Sequence, residues 1–266
     1  MTELSTVRVS REGPIARVAL ARPAVRNSFD ETVIAELTQV FLSFANDPDT
    51  RVVVLTGEGP VFCAGADVEW MRRAGSFSKA ENEADAGRMA RMLRAIDECP
   101  RPVVALVQGA AIGGGVGLAA ASDVALAAED AVFSLAEVKL GILPSVISPY
   151  VLRAIGARNA RRYFLTGERF GAAEARRIGL VHEAVPAAEL TAAGGRLVDA
   201  LLSSAPEAVA IAKRLIAQVS GKSPEEAMPL TVVTISERRA SEEAKEGLTA
   251  FLEKRRPAWA PGKTGK

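Results

Sequence analysis

The sequence has few of the side chains that build disulfide frameworks, metal sites or histidine-based catalytic groups. Its 266 residues include two cysteines, Cys63 and Cys99, and one histidine, His182. Two cysteines are too few for a disulfide framework and suit a reducing compartment, so we expect a cytoplasmic protein. Because His and Cys do not cluster at metal-ligand spacing, we predict no metal site. A serine- or cysteine-based triad would need His182, which falls in a predicted edge strand where a structural role is expected.

Neither sign of charge is in excess, and aromatic residues are scarce. The chain has 33 Lys and Arg against 32 Asp and Glu, a net charge of +1, and 5% aromatic residues. This balance argues against a surface for nucleic acid or for anionic membranes. The core must consist mostly of Ala, Val, Leu and Ile, and a chain of this length can bury such a core without disulfides.

The sequence also lacks a convincing leader or membrane segment. Charged residues interrupt positions 1–13, so no secretory signal is predicted. Residues 103–122 carry no charge and have the length of a membrane span. Five glycines and Gln108 lie within this stretch, which favours a buried strand, a tight turn and a short helix. We therefore predict no membrane span.

Apolar patterning predicts that strands and helices alternate. The predicted elements are a hairpin of residues 7–10 and 15–20, a helix over 30–44, a strand over 51–56, a helix over 81–98, and strands over 103–107 and 124–127. This alternation favours an α/β fold with largely parallel strands. After about residue 190 the pattern is helical. We predict a core domain over 1–190 and a helical region over 191–266.

Two glycine-containing loops each follow a predicted strand and precede a predicted helix. The first runs from Gly57 to Asp67, and the second from Ala111 to Gly117. The simple interpretation is a capped loop and a close helix–sheet contact. The alternative is that the backbone N–H groups of the two turns together form an oxyanion hole, which stabilises negative charge on a carbonyl oxygen.

Glu137 is the third candidate. It lies between apolar residues and a glycine–proline turn, in FSLAEVKLGILP. Most glutamates in such places are solvated or paired with a neighbour such as Lys139. A buried Glu137 would have a raised pKa and could exchange protons near neutral pH.

With these motifs the chain resembles the crotonase superfamily, the enoyl-CoA hydratase/isomerase family. The resemblance covers nearly the whole chain, from ARPAVRN at 21–27 through FCAGAD and GAAIGGGVG to FLEKRRP at 251–257. It implies a ClpP-like spiral of ββα units with a helical C-terminal trimerisation region, in a homotrimer or a dimer of trimers. It also implies an acyl-CoA substrate, whose coenzyme A is part of the substrate, with no separate cofactor.

The resemblance assigns roles to particular residues. It places the oxyanion-hole amides at Ala66 and Gly114 and the catalytic carboxylate at Glu137. The positions that it implies for contacts to the substrate are Ala24, Val25, Arg26, Ala64, Asp67, Val68, Gly117, Phe251 and Lys254. Trp70, Met71, Phe77 and Met92 lie in the variable region expected to form the acyl-tail pocket.

Two departures from the family pattern bear on the reaction. Typical hydratases of the family have a glutamate where this chain has Gly117, which leaves Glu137 alone and favours double-bond isomerisation. The segment LPSVISPY at 143–150, with GGGVGL, instead resembles methylglutaconyl-CoA hydratases.

We therefore predict a lyase that hydrates a 2-enoyl-CoA, such as 3-methylglutaconyl-CoA of leucine breakdown. The alternatives are a Δ3,Δ2-enoyl-CoA isomerase and a non-catalytic relative that binds acyl-CoA or RNA.

Overall fold

The computed structural model describes residues 4–260. Its strands are β1 (Val7–Glu12), β2 (Ile15–Leu20), β3 (Val52–Gly57), β4 (Val103–Val107), β5 (Ala110–Ile112), β6 (Val124–Ala128), β7 (Val132–Ser134), β8 (Arg169–Gly171) and β9 (Glu183–Val185). Its helices are α1 (Glu31–Ser43), α2 (Val68–Ala74), α3 (Lys79–Asp97), α4 (Gly114–Ala121), α5 (Ser148–Thr166), α6 (Ala172–Arg177), α7 (Leu190–Ser203), α8 (Pro206–Val219), α9 (Pro224–Ala240) and α10 (Glu242–Leu252).

The larger sheet has six strands in the order β1-β2-β3-β4-β6-β9. The β1–β2 hairpin is antiparallel, and the other pairs are parallel. The strands β3 and β4 are continuous apolar runs, VVVL and VVALV, which suit strands covered on both faces. The predicted hairpin, the predicted strands and the α/β class are confirmed.

A short second strand follows β4 and β6 and leads into a helix, in the units β4-β5-α4 and β6-β7-α5. The unit β1-β2-α1 has the same ββα order, but its second strand belongs to the large sheet. The strands β5 and β7 pair with each other in a second, three-stranded sheet. The arrangement brings the start of α4 and the segment after β7 to the same place.

The stretch 103–122 is core. It folds into β4, β5 and the short helix α4, all eight residues of which are buried. Over residues 4–260, no helix has both the length and the apolar character that a membrane crossing needs. His182, in turn, serves the sheet, because its backbone N–H donates to the Ala125 carbonyl and its Nδ1 accepts from the Ala125 N–H.

The C-terminal helices differ in how they contact the core. Helix α7 buries Leu190, Ala193, Val198 and Leu202 against the large sheet, so it belongs to the core layer. Helices α8 and α9 bury no side chain within the described chain. Several large apolar side chains on α8, α9 and α10 are exposed, namely Ile216, Met228, Val232, Val233, Ile235, Leu248, Phe251 and Leu252. The predicted division at residue 190 stays a prediction.

Candidate active site

Two backbone hydrogen bonds hold the loop before α2 against Phe29, and they set the direction of the Ala66 N–H. Phe29 N–H donates to the Gly65 carbonyl at 2.7 Å, and Asp67 N–H donates to the Phe29 carbonyl at 2.7 Å. Residues 65 and 67 therefore face Phe29, and the Ala66 N–H between them points away from it. No acceptor for the Ala66 N–H is found among residues 4–260.

The ion pair between Asp67 and Arg22 holds this loop to the segment that contains Arg22. The Asp67 carboxylate caps α2 by accepting from the N–H groups of Glu69 and Trp70. Its other oxygen lies 3.2 Å from the Arg22 guanidinium. Burial acts to raise the pKa of Asp67, but these hydrogen bonds and Arg22 outweigh it and lower the pKa below the usual value. The predicted cap is confirmed, whereas the pairing with Arg22 has no local signal in the sequence.

The second loop ends at Gly113, whose backbone is left-handed with φ 51°. Only glycine adopts this conformation readily. The next residue, Gly114, begins α4, and its N–H likewise finds no acceptor in the described chain. It lies at the positive end of the helix, where negative charge is stabilised.

Glu137 lies directly against this turn. Gly113 N–H donates to the Ser134 carbonyl at 2.8 Å, which ties the end of β7 to the start of α4. Residues 136–140 then form a single 3₁₀ turn that carries Glu137. A Cβ built on Gly113 would lie 2.9 Å from Glu137 Oε1, so the glycine leaves the room that the carboxylate occupies.

The Glu137 carboxylate is buried and only partly satisfied. Its Oε2 is inaccessible to solvent and has no hydrogen-bond partner within the described chain. Burial raises the pKa of Glu137 above its usual value, opposed in part by the glutamate's own backbone N–H. Such a group can hold or release a proton near neutral pH.

One cavity of about 300 Å³ brings these groups together, since Ala66, Gly114 and Glu137 all line it. Most of the rest of the lining is apolar, with Trp70, Met71 and Met89 from α2 and α3 and with residues 142–147 from the segment before α5. The charged side chains in the lining are Asp85 and Glu137. Asp85 was not among the residues predicted from the sequence.

The predicted substrate-binding residues fall into three groups. Ala64 lines the cavity, and its N–H donates to the Arg26 carbonyl, which places the exposed turn of Ala24, Val25 and Arg26 beside the loop. Asp67 and Val68 lie at the start of α2, and Val68 is 72% exposed. The structure thus brings the two predicted coenzyme A-contacting segments side by side.

The other predicted substrate-binding residues, Gly117, Phe251 and Lys254, do not line the cavity. Gly117 is buried one turn inside α4. Phe251 is 79% exposed at the end of α10, and Lys254 follows it; their predicted contact to a neighbouring subunit's coenzyme A stays a prediction. In the expected tail pocket, Trp70 and Met71 line the cavity, whereas Met92 is buried in the core.

Comparison with known proteins places the chain in a family. The sequence profile of the enoyl-CoA hydratase/isomerase family matches residues 10–262. The crystal structure of an enoyl-CoA hydratase from Shewanella pealeana is 42% identical, covers 97% of this chain and 97% of its own, and superposes with a TM-score of 0.93.

Two curated relatives match almost end to end. The carnitinyl-CoA dehydratase of Escherichia coli is 36% identical over 262 residues, which are 96% of this chain and 98% of the relative. The short-chain-enoyl-CoA hydratase of Clostridium acetobutylicum is 31% identical over 256 residues, 96% of this chain and 97% of the relative. The protein belongs to the enoyl-CoA hydratase/isomerase family, with the crotonase fold expected from its motifs.

Proposed function

We propose that this protein is an enoyl-CoA hydratase, which adds water across the C2=C3 bond of a 2-enoyl-CoA thioester. The observation that carries the proposal is the position of Glu137. Its buried carboxylate has an oxygen with no hydrogen-bond partner among residues 4–260, and it lies at the start of α4, in the cavity that Ala66 and Gly114 also line. Family membership and relatives named as hydratases support the same reaction.

The two free N–H groups would bind the thioester carbonyl oxygen. Addition of water at C3 pushes electrons into the thioester and builds negative charge on that oxygen. The amides of Ala66 and Gly114 would donate to it, and one such donor is typically worth about 3 kcal/mol of barrier. Coenzyme A enters as part of the substrate, so the proposal includes no separate cofactor.

Glu137 would deliver the proton to C2 as the enolate collapses. Burial raises its pKa and so favours the protonated form relative to an ordinary glutamate, which suits a proton donor to carbon. The reverse transfer, from C2 to the carboxylate, would serve dehydration.

For the acyl group we propose a short, branched 2-enoyl chain. The cavity is small and mostly apolar, and among the described residues no cationic side chain lines it. That lining offers no partner to the distal carboxylate of 3-methylglutaconyl-CoA, the substrate suggested by the sequence resemblance. We therefore favour an uncharged chain such as 3-methylcrotonyl.

A Δ3,Δ2-isomerase is the second candidate, because Gly117 leaves no carboxylate at the position of the family's other glutamate. A panel of 2-enoyl, 3-enoyl and 3-methylglutaconyl thioesters, with products analysed by mass spectrometry, separates the candidates. A gain of the mass of water marks hydration, whereas migration of the double bond leaves the mass unchanged.

The role of Glu137 is tested by Glu137→Gln. We expect turnover to fall by at least about 100-fold with acyl-CoA binding retained, as for loss of a general acid. Unchanged turnover in this variant would refute the assignment.

A further inference from the structure

We propose that Asp85 is the second carboxylate of the active site and that it binds and activates the water. The inference rests on the proposed hydratase function and assigns the half of the reaction that Glu137 does not perform. Hydration needs a group that takes a proton from water as well as one that gives a proton to C2. Asp85 is the other charged side chain that lines the cavity of Glu137.

The packing of α3 along α4 places Asp85 in front of the start of α4. A Cβ on Gly117 would lie 3.6 Å from Leu93 Cδ2, and a Cβ on Gly114 would lie 3.0 Å from Met89 Cε. Successive turns of α3 therefore lie beside successive turns of α4, and the two helices run in the same direction. Asp85, a further turn towards the N-terminus of α3, lies beyond Gly114, on the side to which the free N–H of a first helical residue points.

The burial and the hydrogen bonding of Asp85 suit a base that binds water. The residue is only 7% exposed, yet it lines the cavity. Its Oδ1 accepts a hydrogen bond from the guanidinium of Arg88, so a cation lies beside the carboxylate. Among residues 4–260, no partner is found for Oδ2, which leaves that oxygen available to a water molecule.

Helix α4 does not supply this carboxylate, because its residues, GGVGLAAA, include no acidic side chain and Gly117 has no room for one. A Cβ on Gly117 would lie 2.3 Å from Ile147 Cγ2, so Ile147 fills the space that a side chain at position 117 would need. Ile147 itself lines the cavity and is 2% exposed. A water-activating carboxylate must therefore enter from another element, and α3 supplies one.

Asp85 Oδ2 takes a proton from water while the water oxygen bonds to C3, and the C2=C3 electron pair moves into the thioester to form an enolate. The enolate pair then takes a proton from Glu137 to form the C2–H bond. The proton on Asp85 returns to the Glu137 carboxylate through solvent, which restores both groups.

The test is Asp85→Asn, which keeps the shape and removes the charge. We expect the kcat for hydration of the panel's best 2-enoyl-CoA to fall by at least about 100-fold, with KM changed much less, as for loss of a general base. Glu83→Gln is the matched control, because Glu83 lies on the same helix with its side chain 68% exposed. It should retain wild-type kcat, and thermal unfolding of each variant shows that it folds.

A second measurement separates water activation from a structural role. In D2O, exchange of the C2 protons of butyryl-CoA needs the proton-transferring group and the oxyanion donors but no added water. We expect Asp85→Asn to retain this exchange and Glu137→Gln to lose it.

The outcomes are distinguishable. If the wild type hydrates and the kcat of Asp85→Asn lies within about threefold of the wild-type value, the role of Asp85 is overturned and the hydratase function stands. The same conclusion follows if Asp85→Asn loses C2-proton exchange together with hydration. A fall of at least about 100-fold with exchange retained supports it. If the wild type only isomerises, both proposals fail.

Discussion

A side chain at Gly117 would collide with Ile147. The Cβ of residue 117 would lie 2.3 Å from Ile147 Cγ2, a distance that real contacts do not reach. Gly117 thus serves packing in this protein, at the position where the family resemblance led us to expect a glutamate. Because Ile147 fills the space beside Gly117, the effect of a substitution at one position should depend on the residue at the other.

Gly117→Ala should destabilise the fold by about 1–3 kcal/mol, because the added methyl group overpacks a closed contact. Ile147→Ala alone should also destabilise it, by leaving a cavity. In the double variant the two effects should partly cancel, since each change makes room for the other. Urea unfolding of all four proteins measures the coupling, and strictly additive losses would show that the two residues are independent.

Glu137 should make stability depend on pH. Its pKa is raised in the folded state, so its contribution is complete below the unfolded value of about 4.3 and is lost as pH rises through the folded value. The glutamine of Glu137→Gln does not titrate, so this part of the stability does not change with pH in the variant. The free energy of unfolding of the variant should therefore rise relative to wild type as pH rises from the unfolded to the folded pKa of Glu137.

Glu81→Gln is the control of opposite sign. Hydrogen bonds from the Ser78 hydroxyl and the Ser78 N–H lower the pKa of Glu81, so its contribution is lost as pH falls. Chemical unfolding at several pH values checks both variants. Parallel pH curves for wild type and Glu137→Gln would contradict the buried environment of Glu137.

Both thiols should be inert in the folded protein. Burial raises the pKa of Cys63 to about 12, and it also raises the pKa of Cys99. Because the thiolate is the reactive form, Ellman's reagent should label neither cysteine natively and both in denaturant. Rapid native labelling of one cysteine per chain would show that its surroundings open.

Asp67 should stabilise the loop that carries Ala66. Asp67→Ala removes the cap of α2 and should cost about 0.5–2 kcal/mol. Asp67→Asn keeps an acceptor for the Glu69 N–H and loses only the charge towards Arg22, so its cost should be smaller. Urea unfolding ranks the variants, and equal losses would mean that the cap contributes little.

The exposed apolar side chains of the C-terminal helices should mediate self-association. Met228, Val232 and Ile235 recur on α9 at helical spacing, and all are exposed. We expect a trimer or a dimer of trimers by light scattering, and a smaller species for Val232→Glu. Leu165→Glu, at an exposed leucine of α5, is the control. A monomeric wild type would contradict the prediction.

Local patterns account for most of the elements. Asp30 and Asp67 lie at helix starts, and each caps its helix by accepting from two backbone N–H groups of the first turn. The strands β3 and β4 are apolar runs that any α/β sheet would bury. These features depend on neighbours in sequence, so they can be predicted from sequence.

The candidate site was predictable only in part. Glu137 stood out because a carboxylate lies between apolar residues and a glycine–proline turn, at a position to which the family resemblance assigns catalysis. Asp85 did not, because an acidic residue in the polar stretch before Met89 looks like any solvated helix residue. It lines the same cavity as residues of α2 and of the 142–147 segment, and this proximity depends on segments far from it in sequence.

The sequence by itself determined the alternation of strands and helices, the two glycine turns and the carboxylate at 137, since each depends on residue type and short-range spacing. The tertiary structure alone decided that Ile147 fills the space at Gly117 and that Asp85 lines the same cavity as Glu137. It also decided that the N–H groups of Ala66 and Gly114 have no acceptor within the part of the chain that is described. These relationships join segments far apart in the chain. Only the packing of helices against two sheets brings such segments into contact.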